Sequence, residues 1–414
     1  MTKKPDCQPI DLLWGAWYEE AAMQLDFPSH WEIQKCSIVD SPRMTSQKIS
    51  DAVTEPINNL SLQRLAQGKK NVVIAVEDIT RPSRLERILR YVLKELYSAG
   101  LDKKQISFVI CNGAHAPMLR VDLEKKFGPE ILRDFLILNH NPYDNLEDSG
   151  IMLGKTPFRV NRNYLQADLK IAIGTIIPHS FAGFSAGGKL ILPGLADIGT
   201  LERTHKFVMM GMRGGVNNVE TNKFRHEVEK VVGQVGCDFF IGVVPNSRRE
   251  IAGVFAGHFV DAHRAGVEFG RKIYKTRVSP ADVVVLNAYP KDSELIQADT
   301  ALTPLKTTTA DFISEDGVVI IISRSSNGLG HHSLFGPGMR LYRKPIKRRF
   351  LKDRELIIYS PNVNQAEFET IFWDGYTFAT QWQDVLENLY KRFPQKCRVA
   401  ILPTAPFQLL ECDT

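Results

Sequence analysis

Paired cysteines, long apolar runs and net charge are all scarce in this chain, and each shortage closes off a class of protein. The six cysteines, at positions 7, 36, 111, 237, 397 and 412, form no C-x-x-C pair. That excludes a zinc knuckle or a disulfide scaffold and fits a reducing compartment. No stretch reaches the roughly eighteen apolar residues that a membrane-crossing helix needs, and the opening MTKKPDCQPIDLLWG lacks the unbroken apolar core of a secretory signal. A cytoplasmic protein with no membrane contact is expected. A formal charge of +5 over 414 residues implies no nucleic-acid partner. Internal repeats and low-complexity tracts are absent as well.

What remains is a globular composition, 43% hydrophobic and 24% charged, on a chain long enough for two or three domains. Apolar runs at 71–76 (NVVIAV), 106–111 (ISFVIC), 135–138, 169–177 (LKIAIGTII), 281–286 (ADVVVL), 318–323, 356–359 and 398–402 read as strands. Helix-spaced segments lie between them, including 46–67, broken near Pro56, 221–232, 261–274, 294–306 and 382–393. Such alternation predicts an α/β protein of two α/β domains with mainly parallel sheets. The pattern relaxes between 275 and 280, which places residues 1–272 in a first domain and 281–414 in a second, the last residues being free to pack back on the first.

Three loops of the first domain follow predicted strands: Asp78-Ile79-Thr80-Arg81-Pro82, Gly113-Ala114-His115-Ala116-Pro117, and Pro178-His179 through Gly183, Gly187, Gly188 and Lys189 to Gly194. Open α/β sheets bind ligands at that edge, so the loops converge without further assumption. Glycines allow close backbone approach and leave amides to face an anion, while a lysine adds a charge or an amine nucleophile. A phosphate-bearing small molecule is therefore expected there.

Plainer readings stand beside these. Gly183-x-x-x-x-Gly188-Lys189 matches most of a P-loop, but Leu190 replaces the hydroxyl that holds magnesium and Pro193-Gly194 interrupts the required helix. His115 and His179 could be hydrogen-bonded loop histidines, and Asp78 and Arg81 a cap and its neighbour. The basic run 340–354 reads as a solvated face, and His331-His332 as an exposed loop or a pocket lid.

The combined set Asp78-Ile79-Thr80-Arg81-Pro82, Gly113-Ala114-His115-Ala116-Pro117-Met118 and Pro178-His179-x-Phe181-Ala182-Gly183-Phe184-Ser185-x-Gly187-Gly188-Lys189-x-Ile191-Leu192-Pro193-Gly194 resembles the nickel-pincer-nucleotide lactate racemase family over about 120 residues. His205, sixteen residues past Lys189, falls where that family keeps its metal-binding histidine, and Tyr289-Pro290-x-Asp292 and Gln297 match more loosely. The resemblance implies a site in the cleft between two α/β domains and a nickel pyridinium-3-thioamide-5-thiocarboxylic acid mononucleotide as cofactor. Lys189 would be its thioamide tether and His205 the remaining nickel ligand, an imidazole suited to a square-planar metal. Asp78, Thr80 and Arg81 would bind the phosphate and ribose, and His115 and His179 would exchange proton duties while the cofactor takes and returns a hydride. The implied activity is racemisation or epimerisation of a 2-hydroxy acid, with cofactor-making enzymes as partners.

Departures from the family pattern bear on the substrate. Thr300 stands where lactate racemases have a lysine three residues after the matching Gln297, which leaves Gln297 and Thr300 as the substrate-side candidates. Ala116 and Gly188 also stand where arginines are common. The lost positive charge points to a 2-hydroxy acid other than lactate, larger or a sugar acid. Two other classes compete: a metal-dependent hydrolase using the same histidines, and a non-catalytic nucleotide- or sugar-phosphate-binding protein.

Overall fold

The computed structural model describes residues 7–209, 214–308 and 310–412. It divides into two compact units, one of Ser41–Ile273 with His332–Leu334, the other of Met1–Asp40, Tyr274–His331 and Phe335–Thr414.

In the first of these, near-continuous apolar runs such as VVIAV (Val72–Val76), ISFVI (Ile106–Ile110) and LKIAIGT (Leu169–Thr175) form strands buried on both faces, as a parallel sheet covered by helices requires. Neighbours run in the order Ile251–Gly257, Phe239–Pro245, Leu169–Thr175, Val72–Val76, Ile106–Ile110, Leu136–Asn139. All pairs are parallel except the Ile251–Gly257 edge. The chain thus starts in the middle with Val72–Val76, winds to one side, and returns on the other with Leu169–Thr175. The order reverses between those two strands, the point at which open α/β sheets bind ligands. Covering helices bury apolar positions three and four apart, Ile88, Leu89, Val92, Leu93 and Leu96 on Glu86–Ser98 being one set.

The second unit is also a parallel sheet, ordered Thr377–Ala379, Glu355–Tyr359, Ile313–Ile322, Ala281–Asn287, Arg398–Leu402, Glu32–Lys35. Its last strand corrects the expected boundary. Residues 7–40 belong here and not with residues 41–272, because Glu32–Lys35 pairs with Arg398–Ile401 and Leu12, Met23, Leu25, Phe27 and Trp31 fill the same core as Val399 and Ile401. The terminal strand Leu409–Cys412 likewise pairs inside this unit, with Lys275–Val278, and not back on the first domain. Pairings between opposite ends of a chain have no local signature. The helix expected over 294–306 is a single turn, Leu295–Ala298, followed by 3-10 turns on either side of Thr303, with Pro304 opening the second. In the basic run, Lys344, Lys347, Arg348 and Lys352 each pair with an aspartate, as a solvated face would. No helix among the described residues is long and apolar enough to cross a membrane.

Candidate active site

The loop after Val72–Val76 is anchored from beneath. Glu77, buried, accepts from Thr175 N and Oγ1 at 2.5 Å each and from Lys126 Nζ at 2.9 Å. Lys126, fully buried, also donates to Arg81 O at 2.9 Å. Burial pulls the Lys126 amine below its ordinary range, while the Glu77 charge opposes that pull. Above this anchor Asp78 faces the other way. Its Oδ1 accepts from Thr80 N (2.9 Å) and Thr80 Oγ1 (2.5 Å), and its Oδ2 lies 2.6 Å from His115 Nδ1. Burial alone would raise the Asp78 carboxyl, but His115, Arg81 and Thr80 together hold it well below the usual range. An ionised carboxylate only accepts, so His115 carries its proton on Nδ1 and has its lone pair at Nε2.

Sequence reading placed Asp78 beside phosphate and ribose. In the structure it bonds Thr80 and His115. Arg81 reaches Thr80 Oγ1 at 2.8 Å, so it is linked to Asp78 through the threonine.

His179 has the opposite arrangement. Pro178–His179 folds back on Gly183–Phe184 as a tight antiparallel pair. Within that hairpin, Phe181 N and Ala182 N both donate to His179 Nδ1 at 3.4 Å. The ring proton is therefore on Nε2.

The glycine loop itself is held from behind. Arg225, fully buried, donates Nη1 to Ala186 O (2.9 Å), Nε to Ala182 O (3.3 Å) and Nη2 to Phe184 O, and His263 Nε2 donates to Ser185 O at 2.8 Å. Gly183 and Gly187 adopt φ of +75° and +64°, and a Cβ on Gly183 would lie 2.1 Å from Asn218 O. Local crowding and left-handed backbone require glycine at both positions. Lys189 sits in the 3-10 turn Gly187–Leu190, its amine 5.3 Å from the centre of the Phe181 ring.

His205 comes from the helix Ile198–Met209, where Nδ1 donates to Leu201 O at 2.7 Å and so puts the lone pair on Nε2. Burial, with smaller contributions from His115 and Lys189, pushes it down to about 4, so it is a neutral imidazole at ordinary pH. Phe181 joins these groups: its ring centre is 4.3 Å from that of His179 and 6.4 Å from that of His205. His332 completes the cluster, 5.4 Å from His115 and 5.4 Å from His205 between ring centres. Sequence reading passed over Phe181 as a motif position and ranked His332 low. Nothing local marks either as a ring that others pack around.

The structure therefore gathers Asp78, Thr80, Arg81, His115, His179, Lys189 and His205 on one sheet edge. Gln297 and Thr300 belong to the other unit, where Thr300 Oγ1 donates to Gln297 O at 2.7 Å. Among the described residues no three histidine, cysteine or carboxylate side chains are grouped to hold a metal ion. A metal at His205 would take its other ligands from a bound organic group, and a lone-pair imidazole near a primary amine fits that need.

Fold and site together define a class: a mixed α/β protein with mainly parallel sheets, whose doubly wound sheet carries a cluster of imidazoles on the loops beyond its strands. Residues 18–216 match the model of the lactate racemase N-terminal domain. The chain is 30% identical over 294 residues to the lactate racemase of Thermoanaerobacterium thermosaccharolyticum, covering 69% of this chain and 67% of that protein. It is 28% identical over 296 residues to the lactate racemase of Lactiplantibacillus plantarum, covering 70% and 68%. In fold, it matches the T. thermosaccharolyticum lactate racemase apoprotein with a TM-score of 0.76 at 23% identity, over 98% of this chain and 100% of that one. A Thermotoga maritima protein matches at 0.69 and 16%, over 90% and 100%. The chain belongs to the lactate racemase family and is an isomerase, a racemase.

Proposed function

We propose that the chain racemises or epimerises a 2-hydroxy acid by reversible hydride removal at the 2-carbon, with His115 and His179 handling the hydroxyl proton. The observation that carries this reading is the gathering of His115 and His179 with Lys189 and His205 in one cluster of rings, with Asp78 holding the Nδ1 proton of His115. Nε2 of His115 has the lone pair and can take the hydroxyl proton of one enantiomer, while the keto oxygen presented from the other side takes a proton from His179 in its imidazolium form, which leaves that ring neutral. In the reverse direction His115 starts as the imidazolium and His179 as the neutral base, and Asp78 holds the Nδ1 proton of His115 in both directions. Asp78 is the positioning residue for His115.

When bound, a nickel-pincer nucleotide supplies the acceptor for the hydride. Lys189 would hold it covalently, His205 Nε2 would ligate its nickel, and Thr80 and Arg81 would bind its phosphate, to which an arginine can give two parallel N–H bonds. The low pKa of His205 keeps it able to ligate across the neutral range. The reading also includes a cytoplasmic location, which six free cysteines support, and dependence on enzymes that make the cofactor.

Intact-mass measurement on protein co-expressed with those enzymes is expected to show an adduct on the wild type and none on Lys189→Ala. Loaded protein given a 2-deuterated 2-hydroxy acid in ordinary water is expected to return an inverted product that keeps its deuterium. Exchange of that deuterium for solvent hydrogen would mean carbon deprotonation instead and would overturn the hydride assignment.

A further inference from the structure

We infer that Phe181 is the positioning residue of Lys189: the face of its ring holds the lysine ammonium at the attachment point in the unloaded protein. What the amine is held for rests on the proposed function above. That the ring holds it rests on the geometry alone.

The ring is fixed by contacts that do not involve the lysine. Phe181 N donates to His179 Nδ1 at 3.4 Å, and Phe181 O accepts from Asn222 Nδ2 at 3.0 Å. Asn222 is fully buried and caps the helix Lys223–Val235, so the residue is tied to an element far along the chain. From the same helix the buried Phe224 meets the Phe181 ring at 76°, with 5.7 Å between centres. An aromatic pair of that geometry is held edge to face and resists rotation.

Lys189 Nζ stands over this ring, 5.3 Å from its centre. That is within the roughly 6 Å over which the negative face of an aromatic ring attracts a cation. The same ring lies 4.3 Å from the His179 ring and 6.4 Å from the His205 ring between centres. A lysine stem has many rotamers, and its end is fixed only where something attracts it. Here the attraction puts the charged end beside the two imidazoles. Leucine would fill a similar space at 181 with no such face. Attachment of the cofactor as a thioamide removes the ammonium charge, and the attraction with it. The ring therefore acts on the unloaded protein, deciding where the amine stands when the cofactor arrives.

Unloaded wild type and proteins carrying mono-, di- or trifluorinated phenylalanine at 181 would be treated with trace acetic anhydride at one fixed pH. Acetylation of Lys189 would be read by peptide mass against Lys94, exposed on the helix Glu86–Ser98. Fluorine withdraws charge from the ring face at nearly constant size, so the Lys189 rate is expected to rise stepwise, by about three- to tenfold with the trifluorinated ring. Phe181→Leu is expected to match the top of that series and Phe181→Tyr, which keeps the face, the wild type. An amine that swings out meets a reagent in solvent but not a cofactor bound in the site. After co-expression with the cofactor-making enzymes, Phe181→Leu is therefore expected to carry the adduct on about a third as many chains as wild type or fewer, and Phe181→Tyr on as many. A rate flat across the fluorinated series, a rise that Lys94 shares, or full loading of Phe181→Leu would each overturn the inference while leaving the racemase reading standing. A wild type that never acquires an adduct would remove the reading of Lys189 as tether, and the labelling series would still decide whether the ring holds the amine.

Discussion

One proton position separates His115 from His179, and Asp78 decides it for His115. An asparagine at 78 could turn its amide toward Nδ1, donate there, and move the ring proton to Nε2, which removes the base without emptying the space. Asp78→Asn is expected to lower kcat/KM by about a hundredfold or more, the usual scale of general-base catalysis. Because racemisation has an equilibrium constant of one, the loss should be equal from either enantiomer, and initial rates from both will check it. The site's residue types were legible in sequence, since His115, His179 and Lys189 sit in motifs that follow predicted strands and His205 lies sixteen residues past Lys189. Their protonation was not legible. It depends on which atom faces Nδ1 (Asp78 Oδ2, backbone amides or a helix carbonyl), and three-dimensional packing alone sets that.

At the scale of the element, the glycine loop is held in shape by one guanidinium. Arg225 stays charged although burial pulls it down to about 10, and its fork meets carbonyls of Ala182, Phe184 and Ala186 at once. Lysine would keep the charge but offer a single point of donation, leaving buried carbonyls unpaired. Arg225→Lys is expected to cost about 3 kcal/mol in chemical denaturation, and to reduce adduct formation at Lys189, which lies on the same loop. The sequence marked residues 183–194 as special without showing the crowding behind its glycines. Gly183 and Gly187 are required by backbone conformation and by neighbours from residues 218, 225 and 263, far along the chain.

Over the whole molecule, buried neutral histidines tie stability to pH. His140, buried with Nε2 donating to Ala196 O at 2.9 Å, is pushed down to about 4 by burial, and His263 is pushed well below its ordinary value for the same reason. The unfolded chain binds these protons near pH ~6.5 and the folded chain only at lower pH. Stability is therefore full above about 6.5 and falls as pH drops toward 4, with His140 alone accounting for about 3 kcal/mol. Urea titrations across that range are expected to show the decline, and His140→Gln a shallower one. By itself the sequence determined the α/β class, the strand-end motifs and the family resemblance, because each is written in contiguous runs of apolar residues or in closely spaced side chains. Only the tertiary structure decided that residues 32–35 pair beside 398–401, that Asp78 serves His115, and that His332 joins the imidazoles. Those are contacts between segments far apart in the chain, made when burial of apolar surface brings them together, and no local pattern encodes which distant atom will be the partner.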